Sequence, residues 1–294
     1  MKPDVSVIVP VYNGQQTLPE LVQRLGSVLR ECCRQFELVM VNDGSSDESW
    51  RVICQLAETH AWVRGINLAR NYGQHNALLC GIRSGTFGIL VTMDDDLQNP
   101  PEEIPKLLQK LQEGYDVVYG VPQEEQHDLF RNLASQFTKL ALREAMGTEI
   151  ARNISAFRVF RSSVCAAFSH YRSSSVSVDV LLTWGTTRFA ALRVQHAPRR
   201  AGTSGYSLGK LISHAFNMIT GFSVLPLQLA SVLGFAFTLM GLVILVYVVG
   251  RYLLEGSRVP GFPFLASMIA IFSGAQLFAL GALGSASATP GPGR

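Results

Sequence analysis

The chain has 294 residues, 48% of them hydrophobic, with a mean hydropathy of +0.21 and a formal net charge of +3. So apolar an average excludes a simple soluble domain, and the excess is concentrated: no residue is charged across 215–250 or 259–293. The five cysteines are odd in number and form no CxxC pair, which excludes a disulfide framework or a zinc site and reads as reduced thiols.

Residues 5–11 form a continuous apolar run ending at Tyr12-Asn13-Gly14, the pattern of a buried parallel strand and its turn. Residues 17–30 place Leu18, Leu21, Val22, Leu25, Val28 and Leu29 on one helical face. A second strand, 36–41, closes on Asn42-Asp43-Gly44-Ser45-Ser46-Asp47; Ser46 is placed to cap the next helix, with Asp47 and Glu48 in its first turn. Further on, 63–68 is a third strand, 76–84 a short helix and 89–93 a fourth strand. Pro100-Pro101-Glu102-Glu103 opens another helix, and 117–119 is a fifth strand. Strands and helices alternating at this pitch predict an α/β fold with a mainly parallel sheet and right-handed crossovers.

Beyond residue 200 the pattern changes. Residues 207–222 read as an amphipathic helix lying at a membrane surface. The runs 225–250 and 262–283 each reach the ~20 apolar residues that a bilayer core of ~30 Å demands of a helix. Residues 285–294, rich in Ser, Ala, Gly and Pro, predict a disordered tail. Residues 1–149 hold 13 Lys/Arg and 20 Asp/Glu, whereas 150–214 hold nine Lys/Arg and one acid, Asp179. That basic block directly precedes the first apolar span, where the positive-inside rule and anionic lipid heads favour it. The start of the chain lacks a signal-peptide pattern, so a cytosolic position is expected for the part ahead of the spans.

The run Ile89-Leu90-Val91-Thr92-Met93-Asp94-Asp95-Asp96-Leu97-Gln98 carries the most chemistry. A strand that ends in three adjacent carboxylates needs a compensating charge, and a hard cation such as Mg²⁺ or Mn²⁺ prefers such oxygen donors. The carboxyl ends of parallel strands are also where ligands bind. In extended backbone, Asp94, Asp96 and Gln98 project to one side, which makes them the expected metal ligands, with Asp95 turned away. The second notable cluster is Arg199, Gly202, Ser204, Tyr206 and Lys210, spaced R-x₂-G-x-S-x-Y-x₃-K. A guanidinium grips phosphate bidentately, an ammonium adds a point charge, and glycines admit close approach.

Val9-Pro10-Val11-Tyr12-Asn13, the Asn42–Asp47 turn, Asn71-Tyr72-Gly73-Gln74-His75, the acidic run and the basic cluster, in this order and followed by two spans, resemble family 2 glycosyltransferases with the GT-A fold. More narrowly, the pattern resembles the membrane-anchored polyprenyl-phosphate transferases. The resemblance implies a Rossmann-like GT-A catalytic domain over 1–206, the interfacial helix over 207–222, two transmembrane helices over 223–284 and a tail over 285–294. It implies an inverting transfer of one sugar from a nucleotide donor, expected to be UDP-linked, to a polyprenyl (undecaprenyl) phosphate in cell-envelope or lipid A chemistry.

By that resemblance Pro10, Tyr12, Asn13, Asp43, Asp94, Asp95, Asp96 and Arg131 contact the donor, and Asp94, Asp96 and Gln98 hold Mg²⁺ or Mn²⁺. Arg199, Arg200, Ser204, Tyr206 and Lys210 receive the lipid phosphate and diphosphate. Asp94, Asp96, Arg199 and Lys210 form the catalytic set. The family's Glu after the Asn is Gly14 here, and its frequent Ala is Asp95. The expected partners are the donor, the lipid and the inner (plasma) membrane, with the catalytic domain cytoplasmic, no nucleic acid, and homo-oligomerisation left open. Two other readings stand beside this one. A processive polysaccharide synthase of the same fold would carry a Q-x-x-R-W motif, and no tryptophan here follows an Arg in that pattern. A membrane-anchored nucleotide-sugar scaffold without activity would share the binding residues.

Overall fold

The computed structural model describes residues 2–122, 154–173, 176–197, 225–255 and 261–288. The chain divides into two compact units, Met1–Leu211 and Ile212–Arg294.

In the first unit, strands β1 (Asp4–Val11), β2 (Gln35–Asn42), β3 (Val63–Asn67), β4 (Ile89–Thr92), β5 (Val117–Pro122), β6 (Arg158–Arg161) and β7 (Phe189–Val194) form one seven-stranded sheet. Its order is β3-β2-β1-β4-β6-β5-β7, parallel throughout except for β6, which runs antiparallel to both neighbours. Helices α1 (Leu18–Cys32), α2 (Ser49–Thr59), α3 (Gln74–Ser84), α4 (Ile104–Gln112) and α5 (Val178–Gly185) connect or cover the strands. Alternation within β1 explains the two layers. Val5, Val7, Val9 and Val11 pack with Leu21 and Leu25 of α1 and Leu107 of α4, while Ile8 faces Leu78 and Ile82 of α3 on the opposite side. Chain order reverses between β1 and β4, which opens a crevice at the carboxyl edge of the sheet where their loops diverge.

The five strands read from sequence are present, and β6, β7 and α5 are additional. Strand β6 is only four residues long and three of them are buried in succession, which hides its period. Helix α2 begins at Ser49, later than read: the Asp47 carboxylate accepts the Ser49 N–H at 3.0 Å, and Ser46 is engaged elsewhere. Glu48 stands at the N-cap and makes no side-chain cap bond, so the cap expected of Ser46 is not formed.

The second unit holds α6 (Leu225–Glu255) and α7 (Gly261–Ala288). Among the described residues, these are two helices long and apolar enough to cross a membrane, over Leu229–Leu254 and Pro263–Leu283. Their contact is built from small residues. A Cβ on Gly234 would lie 2.6 Å from the Gly274 carbonyl oxygen, and one on Gly274 would lie 2.5 Å from Thr238 Oγ1. Such close approach is how helices associate where burying apolar surface gives no advantage. Their other faces expose Leu, Val and Phe. Helix α7 continues to Ala288, past the expected boundary at 284, because Ser285-Ala286-Ser287-Ala288 contains no breaker before Pro290. The interfacial segment 207–222 lies outside the described residues.

Candidate active site

The candidate site gathers at the carboxyl edge of β1, β2, β3 and β4. Strand β4 ends at Thr92, and Asp95-Asp96 form a turn followed by Leu97 at φ 61°. This corrects the expectation that Asp94, Asp96 and Gln98 alternate to one side: a turn, unlike a strand, has no period of two. The Asp96 carboxylate accepts the Gln98 N–H at 3.1 Å, closing the turn on itself. Asp94, Asp95 and Asp96 are all partly exposed. Among the described residues, no three His, Cys, Asp or Glu side chains are gathered closely enough to hold a metal by themselves.

Asp95 is turned toward the β1 loop, where a Cβ on Gly14 would stand 2.1 Å from its Oδ2. Glycine at position 14 is what gives that carboxylate its room. The β1 loop is in turn clasped to the β2 loop. Asn13, at φ 55°, accepts the Ser46 N–H on Oδ1 at 2.9 Å, and its own N–H donates to Ser45 Oγ at 3.0 Å. Asn13 is thus occupied in joining two loops, whereas Tyr12 beside it is 55% exposed and presents an open ring. Pro10 is buried inside β1, in register with Val41 of β2. It shapes the sheet's carboxyl edge from within β1.

Asp43, expected to contact the donor, is held by backbone donors of a neighbouring loop. It is 3% exposed, and its two oxygens accept the N–H groups of Tyr72 and Gly73 at 2.7 and 2.9 Å. Next to it, Gly44 at φ 65° packs its backbone against Arg70 and Asn71, so close that a Cβ would lie 2.5 Å from the Asn71 nitrogen. Asp43-Gly44 therefore fixes the 70–73 loop. Tyr72 on that loop is 46% exposed, and the Arg70 guanidinium sits 4.8 Å from its ring centroid.

A positive charge lies beneath the acids. Arg158 on β6, in register with Thr92 of β4, is 1% exposed; it donates to Thr92 Oγ1 at 2.9 Å and forms an ion pair with Asp179 of α5. Tyr119 donates to the same Asp179 carboxylate at 3.1 Å. Burial opposes the Arg158 charge, yet Asp179 above all, with Tyr119 and Asp94, holds its pKa above the ordinary guanidinium value. Burial, reinforced by Asp179, pushes the Tyr119 hydroxyl well above its usual range. Gln74, Tyr72 and Asp179 were given no site role from sequence. The Asn71–His75 motif marked the first two, and the lone acid within a basic block marked the last.

Of the basic cluster, Arg199, Arg200, Ser204, Tyr206 and Lys210 lie outside the described residues, as does Arg131. The described chain approaching that cluster ends at Ala197, whose N–H donates to the Gln98 carbonyl at 2.8 Å. The segment leading into the basic motif is thereby tied to the acidic turn.

Residues 6–170 match the family model described as glycosyl transferase family 2. The chain is 34% identical over 284 residues to the undecaprenyl-phosphate 4-deoxy-4-formamido-L-arabinose transferase of Pectobacterium carotovorum, covering 96% of this chain and 87% of the relative. It is 35% identical over 283 residues to the enzyme of the same name from Klebsiella pneumoniae, covering 95% and 86%. Among solved structures, glucosyl-3-phosphoglycerate synthase of Mycobacterium tuberculosis, in complex with Mn²⁺, UDP-glucose and phosphoglyceric acid, superposes with a TM-score of 0.55. That match has 16% identity and covers 74% of this chain and 79% of the other, a likeness of fold alone. With a Rossmann-like GT-A sheet, an acidic turn at its carboxyl edge and relatives matching over nearly its whole length, the chain belongs to glycosyl transferase family 2.

Proposed function

We propose that this glycosyltransferase moves one sugar from a nucleotide-sugar donor, UDP-linked, to a polyprenyl phosphate, with inversion, as its relatives' names suggest for an undecaprenyl carrier. One observation carries the reading furthest. Gln98, in the acidic turn, is hydrogen-bonded to Ala197, and Arg199 follows only two residues later in the sequence. Two residues of chain span at most about 7 Å, which supports a short reach from the acidic turn to the start of the basic motif.

The acids fit a divalent cation of the Mg²⁺ or Mn²⁺ class. Their donors are hard oxygens, they are partly open to solvent, and such ions are commonly held by one or two carboxylates plus substrate phosphates, so a three-carboxylate cage is not needed. Asp94 and Asp96 would hold it; when bound, it supplies neutralising charge for a departing nucleoside diphosphate. Tyr12 offers a stacking face for the base, and Asp95 over Gly14 lies on that side of the cleft. Arg199 and Lys210 bring the acceptor phosphate toward the donor by charge.

No protein base is required by this chemistry. A phosphate monoester has a second pKa of about 6 and is largely dianionic at neutral pH, so it is itself the nucleophile. Asp179 is not spare for that task, since it is buried against Arg158 and Tyr119. Its task and that of Arg158 is to hold the β4 end. The basic block ahead of α6 favours an inner-membrane protein whose catalytic unit faces the cytoplasm. The test is transfer of radiolabelled sugar from UDP-sugars into extractable lipid. Wild-type enzyme is expected to give metal-dependent lipid product and Asp96→Ala to give little or none. Metal-dependent donor binding with no lipid product would favour an inactive scaffold, and a polymeric product a processive synthase.

A further inference from the structure

Four consecutive residues tie three parts of the site together. The N–H groups of Tyr72 and Gly73 are held by Asp43 at the end of β2. Gln74 donates its side-chain amide to Asp94 Oδ1 at 2.6 Å, at the end of β4. His75 accepts the Val178 N–H on Nδ1 at 3.4 Å, at the start of α5, next to the Asp179 that pairs with Arg158. Gly73, at φ 92°, makes the turn that lets successive residues face different elements. The segment is a strap across the carboxyl edge of the sheet, and Gln74 grips the acidic turn directly.

We propose that Gln74 is a positioning residue for Asp94: its amide fixes the orientation in which that carboxylate meets a divalent cation. The inference rests on the metal reading given above. An amide donor suits the role. It orients a carboxylate by a charge-assisted hydrogen bond without competing for the cation, whereas a Lys in its place would oppose cation binding. Without the amide, Asp94 loses a 2.6 Å hydrogen bond that orients it beside two like charges, and part of the ordering cost falls on metal binding. Gln74 is exposed at the start of α3, so its removal takes no buried contact from the core.

The experiment compares full-length wild type and Gln74→Leu in detergent. It titrates Mn²⁺ in the presence of UDP by the electron paramagnetic resonance signal of free Mn²⁺, and records thermal unfolding on the same samples. The expected result is Mn²⁺ affinity lowered about ten- to hundred-fold, the usual effect of losing a partner behind a ligand. The unfolding transition should stay within about 2 °C of wild type. Raising Mn²⁺ should then recover turnover. Gln74→Leu that binds Mn²⁺ as well as wild type overturns this inference alone, as does an affinity loss that appears only with a lowered unfolding transition. Wild type that takes up no Mn²⁺ with UDP overturns the metal reading, and this inference with it.

Discussion

Asp43 offers the sharpest test of how the site is built. Its two oxygens accept the Tyr72 and Gly73 N–H groups, and the side chain is 3% exposed. In Asp43→Ala both donors lose their acceptor in a part-buried place. Each such loss costs about 1–3 kcal/mol, and water entering the emptied space brings the pair toward a total of about 3 kcal/mol. For a unit of this size, 1 kcal/mol moves the unfolding transition by about 2–4 °C, so the expected fall is about 6–12 °C. Asp43→Asn retains one acceptor and should fall by about half as much. The assay is tryptophan fluorescence during thermal unfolding in detergent. It isolates the right unit, because the three tryptophans, Trp50, Trp62 and Trp184, all lie within Met1–Leu211. Donor affinity should weaken together with stability, since the loop that carries Tyr72 and Gln74 is released. An Asp43→Ala enzyme with an unmoved transition and donor binding weakened roughly ten-fold, about 1.4 kcal/mol, would refute the reasoning. Asp43 would then act by touching the donor.

Three further outcomes are expected. Gly14→Ala puts a Cβ 2.1 Å from Asp95 Oδ2 and displaces that carboxylate, so donor affinity, read by titration with UDP, should fall while stability changes by less than about 1 kcal/mol; unchanged affinity would remove Asp95 from the donor site. In Glu37 burial works to raise the pKa, but the Ser6 hydroxyl, the Thr86 N–H and Arg64 bring it below its ordinary 4.5; in Asp116, Thr186, Arg188 and Arg161 likewise overcome burial and bring it below 3.8. Lowered carboxyl groups stabilise fully above their ordinary values and lose that contribution as pH falls through the lowered ones, so stability measured by fluorescence should drop below about pH 4.5, less steeply for Glu37→Gln. Gly274→Leu drives a side chain into Thr238 and the Gly234 carbonyl, and should separate α6 from α7, seen as loss of crosslinking between cysteines placed on their facing sides; undiminished crosslinking would argue against the small-residue contact.

The sequence by itself determined the parallel α/β character, the first five strands and the two apolar spans. Each rests on local periodicity or on the length of an apolar run, and neither needs a neighbour to be read. It also marked the acidic run, because three adjacent carboxylates at a strand's end are chemically conspicuous in any fold. What it could not supply was direction. Asp94, Asp96 and Gln98 look aligned only while the backbone is taken as extended, and the turn at Leu97 removes that alignment. That Asp43 accepts two N–H groups of the 70–73 loop is visible only once that loop folds against it. Arg158 and Asp179 are 21 residues apart in the chain, and only the pairing of β6 with β4 and the seating of α5 bring their charges together under the acids. Which group a side chain serves depends on contacts between distant segments, and those exist only once the sheet has formed.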